Sequence, residues 1–157
     1  VDTSVLLRIY FIFKVPKSGV WFKNCKKTLT DSKLNYFIPI NYNNGSVMIS
    51  YSDEHIARFL NYLEKKDKNK FISFIIDECK AVFNIKNIPK PIWNKSCYWE
   101  NGVGTWKKNI DSTKASKQII RPFKRKPLFI CGENYSKDFQ AWIEGSLETS
   151  DKVFKLL

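Results

Sequence analysis

The sequence predicts an α+β fold, and three features carry that prediction: a continuous apolar run from Val5 to Lys14, an Asn44-Gly45 turn between two short apolar runs, and two stretches with apolar residues at helical spacing. The strand and helix signals are segregated along the chain and do not alternate, which is the α+β pattern.

The run from Val5 to Lys14 carries Leu, Ile, Tyr and Phe without interruption, suiting a strand covered on both faces, and Pro16 to Gly19 ends it. Tyr36 to Ile40 and Val47 to Tyr51 flank Asn44-Gly45, residues that tolerate the positive φ of a tight turn, so a hairpin with a slightly longer loop is expected. Ser52 and Asp53 are suitable N-caps for a helix whose inner face is Ile56, Phe59, Leu60 and Leu63. Beyond a charged connector at Lys65 to Lys70, a second helix aligns Phe71, Phe74, Ile75, Cys79 and Val82 on one stripe. Pro89 and Pro91 stop the helical pattern, and Ile92 to Glu100 reads as a strand or extended segment leading into Asn101-Gly102, a turn dipeptide. Lys107 to Lys126 is polar and irregular, with a short helix near Ser112 to Ile120. A short buried strand is expected at Leu128 to Cys131, and Ile143, Leu147, Ser150, Phe154 and Leu157 place one face of a terminal helix on a core.

Lys and Arg number 27 against 15 Asp and Glu, a formal charge of +12. The basic residues fall in small groups between apolar runs (Lys23 to Lys27, Lys65 to Lys70, Lys107 and Lys108, Lys124 to Lys126) and read as a solvated surface, so a nucleic-acid partner is not expected. Cys25, Cys79, Cys97 and Cys131 are widely spaced and His55 is the only histidine, a pattern without the ligand spacing of a metal site. Ser4 to Phe13 is far short of the roughly 20 apolar residues of a membrane span and contains Arg8; no membrane span is expected, and a soluble, intracellular protein is. Because the chain starts with Val1 and is apolar almost at once, it is expected to begin inside a folded unit.

The most informative stretch is Pro127 to Leu157, PLFICGENYSKDFQAWIEGSLETSDKVFKLL, in which an apolar run meets Gly132-Glu133 and a helix opens at Ala141-Trp142-Ile143-Glu144-Gly145. It resembles the C-terminal signature of the flavin-containing amine oxidase family, the monoamine and polyamine oxidases, in which a strand ends in Gly-Glu and an aromatic-x-Glu-Gly helix follows about ten residues later. Arg121-Pro122, the Thr105 to Asn109 segment and SVLLRIYFIFKVP, Ser4 to Pro16, are similar to further family segments, so the resemblance covers nearly the whole chain.

The resemblance implies the C-terminal portion of a two-domain FAD-linked fold. Residues 1–110 would be the second half of the substrate-binding domain, a mixed sheet with helices, and residues 111–157 the closing strand and helix of the FAD-binding domain. The N-terminal Rossmann part would be absent from this chain and would be its partner. It also implies FAD as a noncovalent cofactor, with Asn101 nearest the position of a flavin-linked cysteine, and a small amine as substrate, oxidised by hydride transfer with oxygen as acceptor. Gly132 and Glu133 would lie by the cofactor's ribityl and phosphate portion, the backbone at Trp142 and Ile143 at the flavin edge, and Trp106 and Trp142 along the substrate side. Arg8 stands in place of the family's flavin-facing lysine, and Gly102 near the position of a second substrate-side aromatic. A helix N-terminus does suit the negative charge of a reduced flavin, because its unpaired N–H groups and dipole are both electropositive. The alternative from another class is a noncatalytic relative serving as a structural or binding protein, for which Arg8, Gly102 and the basic surface are the grounds.

Overall fold

A computed structural model describes residues 1–157. The elements are β1 (Asp2–Ile12), β2 (Thr28–Leu29), β3 (Tyr36–Asn41), β4 (Ser46–Asp53), α1 (Glu54–Lys66), α2 (Lys68–Phe83), β5 (Trp93–Thr105), α3 (Ser112–Ile120), a 3-10 turn at Glu133–Tyr135 and α4 (Ile143–Phe154). The fold is α+β. The chain divides into a larger unit, Val5–Glu100, and a smaller one made of Val1–Ser4 with Asn101–Leu157.

A five-stranded sheet in the order β2-β3-β4-β1-β5 organises the larger unit. It is antiparallel and not the mixed sheet expected: β2–β3, β3–β4 and β4–β1 all run in opposite directions. Short connections favour this arrangement between β2, β3 and β4, since a hairpin needs only a tight turn whereas a parallel pair needs a crossover. The expected hairpin joins β3 to β4. Asn41 Oδ1 accepts from the Asn43 amide at 2.8 Å, Asn44 Oδ1 accepts from the Ser46 amide at 3.0 Å, and Gly45 takes φ +72°. A Cβ on Gly45 would stand 2.0 Å from the Phe13 carbonyl oxygen, so the turn demands glycine by space as well as by φ. Pro39 sits in β3 beyond the last β2 pair, Thr28 with Phe37, and opposite Val47 of β4.

Alternation along β1 decides what the sheet covers. Val5, Leu7, Ile9, Phe11 and Phe13 are fully buried and meet Phe37, Val47 and Ile49 of the sheet, Ala57 and Leu60 of α1, and Phe71, Ile75 and Cys79 of α2. Leu6, Arg8, Tyr10 and Ile12 point the other way and are only half-buried, which corrects the expectation of a strand covered on both faces. Aromatic rings thicken the core: Phe37 lies 4.6 Å from Phe83 and 5.9 Å from Phe22, edge to face. Asp67 separates the two helices and caps α2, accepting from the Asn69 and Lys70 amides at 3.0 Å each.

Three expectations fail around residue 100 and beyond, each for a physical reason. Asn101-Gly102 is no turn, because β5 continues through it to Thr105. Leu128 to Cys131 forms no strand and Leu128 is exposed; with no neighbouring strand to supply a ladder, the segment is tied through the Ile130 amide to the Ile120 carbonyl at 3.1 Å. Terminal helix α4 does not seat its apolar stripe on a core: Ile143, Leu147, Phe154 and the following Leu157 are 74, 65, 77 and 83% exposed. Its buried residues are instead Gly145 and Thr149, on the side packed against the 3-10 turn and the loop after it.

Candidate functional site

The expected site residues fall in both units: Arg8 in the larger, and Trp106, Gly132, Glu133, Trp142 and Ile143 in the smaller.

Arg8 occupies the middle of β1 on the half-open face of the sheet. Antiparallel register sets Tyr51 of β4 directly opposite it and Met48 opposite Tyr10, with a bulge between Ile9 and Tyr10. The guanidinium carbon lies 4.8 Å from the centroid of the Tyr51 ring and 5.9 Å from that of Trp99 on β5. Tyr51 in turn packs on Tyr36 at 5.8 Å, and the Lys27 ammonium stands 5.9 Å from the Tyr36 ring. Two cations, Arg8 and Lys27, thus flank the stacked pair Tyr51 and Tyr36. The Tyr51 phenol holds the Arg8 pKa above its ordinary value; burial opposes the rise and Tyr10 adds to it. No carboxylate forms an ion pair with Arg8, and its buried Nε–H has no hydrogen-bond partner.

In the smaller unit Trp106 is a fixed strut. Its backbone N–H donates to Gln140 Oε1 at 2.7 Å and its indole Nε1–H donates to the Ser136 carbonyl at 2.9 Å, while Gln140 Nε2 donates to the Asn134 carbonyl at 2.7 Å. The loop leading into Trp142 is thereby held. Ala141 adopts φ +69°, and Trp142, exposed by 67%, occupies the N-cap position of α4 with extended backbone and no capping side chain. The first N–H groups of the helix at Ile143 and Glu144 consequently lack the side-chain oxygen that ordinarily covers such a start.

Gly132 has φ +139° and ψ 158°, a region that residues with a Cβ essentially do not occupy. Its N–H donates to Thr149 Oγ1 at 2.9 Å, and the same hydroxyl donates to the Gly145 carbonyl at 2.8 Å. The Gly132 amide is thus engaged with α4. Glu133 opens the 3-10 turn that follows, and its carboxylate makes no ion pair. At Gly145 a Cβ would stand 2.2 Å from the Phe139 carbonyl oxygen, so that glycine serves a close approach within the chain itself. Ser136 hydroxyl and Lys152 ammonium both bond the Glu148 carboxylate, and they depress its pKa, Lys152 more than Ser136.

Sequence reasoning missed Tyr51 and Tyr10 beside Arg8. Tyr10 was accessible from the period of two along the strand, whereas placing Tyr51 required the hairpin register and its bulge. A depression of about 600 Å³ lies elsewhere, lined by Lys117, Gln118, Ile119, Arg121, Pro122 and Lys124, and includes none of the expected residues. No three His, Cys, Asp or Glu side chains stand together as a metal site, and no helix is long and apolar enough to cross a membrane. No protein-family model matches the chain, and no curated protein matches it.

Proposed function

We propose that the chain is part of a flavin-dependent oxidoreductase that oxidises an amine by hydride transfer to FAD, with oxygen as the final acceptor. The observation that carries this reading is the exposed beginning of α4 at Trp142 and Ile143, which has no capping side chain: the helix N–H groups there suit the negative charge that reduction leaves on a flavin. Arg8 keeps a cation, 4.8 Å from the Tyr51 ring and 5.9 Å from that of Trp99, at the strand position where the resemblance puts the flavin-facing lysine.

The bound flavin would supply hydride acceptance, and this chain would supply position and charge. Ile143 would offer its backbone N–H to the ring edge, whereas the Trp142 N–H is already donated to the Phe139 carbonyl at 3.3 Å. Trp106, braced by Gln140 and Ser136, would hold the loop that aims the Ile143 N–H. Arg8 would keep a fixed positive charge on the sheet face; unlike a lysine it cannot cycle through a neutral form. Gly132 fits the resemblance less well, since its N–H is already donated to Thr149 and is not free for a phosphate oxygen. That engagement, with the carbonyl of Phe139 filling the space at Gly145, favours the second reading, a noncatalytic relative.

The two readings separate on one experiment. The chain is joined to or mixed with an FAD-binding Rossmann region of the same protein, purified and inspected for flavin absorbance, then exposed to a panel of amines without oxygen. Bleaching is the expected outcome. Bound flavin that no amine reduces selects the noncatalytic reading, and failure to take up FAD removes the cofactor assignment.

A further inference from the structure

We infer that Arg8 forms an oxyanion subsite on the open face of the sheet, one that takes the carboxylate of a ligand. Taken together with the oxidase reading, on which this step rests, it names the substrate class: an amine that also carries a carboxylate, in preference to a monoamine or polyamine.

Four features converge on it. First, Arg8 is half-buried, yet no carboxylate of the chain forms an ion pair with it. Asp53 shares the face, two positions along β4 from Tyr51 and opposite Leu6, but forms no ion pair with it. Second, the Nε–H is buried and unpartnered; a donor left so is costly in a folded protein and marks a guanidinium whose hydrogen bonds the chain itself does not complete. Third, the Tyr51 and Trp99 rings stand 4.8 Å and 5.9 Å from the guanidinium carbon and hold a planar fork whose paired donors match a bidentate oxyanion. Fourth, the nearby cation Lys27, over Tyr36, keeps the potential of this face positive. The flanking residues Leu6, Tyr10, Ile12 and Met48 are apolar or aromatic and offer the carbon skeleton of such a ligand a surface to lie on.

Binding is measured first without any flavin, by titrating the 157-residue chain with benzoate, benzylamine and inorganic phosphate and following the Trp99 indole N–H resonance, which every variant keeps, together with the Arg8 Nε–H resonance of the native chain. Benzoate is expected to shift both resonances saturably in the millimolar range, while benzylamine leaves them in place. Arg8→Lys keeps the charge but loses the fork and is expected to weaken benzoate by about tenfold, equivalent to about 1.4 kcal/mol. Arg8→Met should abolish the saturable shift, with the remaining backbone resonances unmoved as the check on folding. Equal benzoate affinity in Arg8→Met, or equal response to benzylamine, overturns the subsite; a response to phosphate that exceeds the one to benzoate overturns the carboxylate assignment.

The flavin-loaded full-length protein then separates the two claims. Faster bleaching by amino acids than by the matching decarboxylated amines, lost in Arg8→Met, supports the subsite. Bleaching by the plain amines with no carboxylate preference overturns it and leaves the oxidase reading standing. Benzoate binding that persists where no amine or amino acid reduces the flavin supports the subsite and sinks the oxidase reading.

Discussion

Single residues in the smaller unit hold unusual backbone, and each exposes a measurable quantity. Ala141 sits at φ +69°, a conformation that costs a residue with a Cβ roughly 1 to 2 kcal/mol. Ala141→Gly relieves that cost against the larger unfolded-state entropy of glycine, so a net stabilisation of roughly 0.5 to 1 kcal/mol is expected in denaturant unfolding. Gly132 is the opposite case: Gly132→Ala is expected to lose about 1 to 3 kcal/mol, because φ +139° with ψ 158° is closed to alanine. Thr149→Val removes the hydroxyl that accepts from the Gly132 amide and donates to the Gly145 carbonyl, for a loss of about 1 to 3 kcal/mol. Glu148 adds a pH dependence. Its pKa is lowered from 4.5 by Lys152 and Ser136, so its contribution is present above the ordinary glutamate value and disappears as pH falls through the lowered one. Melting curves of the native chain and of Glu148→Gln should therefore differ at pH 7 and converge in strong acid.

At the level of elements, burial and not hydrophobicity decides which apolar residues matter. Phe71 of α2 is fully buried, and Phe71→Ala is expected to cost about 3 to 5 kcal/mol. Leu147 of α4 is 65% exposed, and Leu147→Gln should change stability by less than about 0.5 kcal/mol in the same assay. From sequence alone the two residues look alike, each on an apolar stripe at helical spacing. The stripe identifies a helix and its apolar side, which is why α1, α2 and α4 were legible, but what lies opposite is a tertiary fact. The same limit explains Leu128 to Cys131, whose composition fits a strand while no partner strand stands beside it. The hairpin was legible because Asn41, Asn44 and Gly45 settle it locally. Within the candidate site, Arg8 was legible as a cation that an apolar strand does not carry idly. Its neighbours Tyr51 and Trp99 come from strands 43 and 91 residues further along the chain, and only the pairing of the sheet gathers them.

For the molecule as a whole, β1 is the strand on which the sheet depends, since its two neighbours, β4 and β5, both lie later in sequence. The most apolar run of the chain emerges from the ribosome before either neighbour has been translated. Phe13 waits likewise for Gly45, whose carbonyl receives its N–H at 2.9 Å. Such non-local closure slows folding and lengthens the interval in which a bare apolar segment is available to other chains. A segment left bare for that interval favours association between chains, so recovery from denaturant should drop steeply as protein concentration rises.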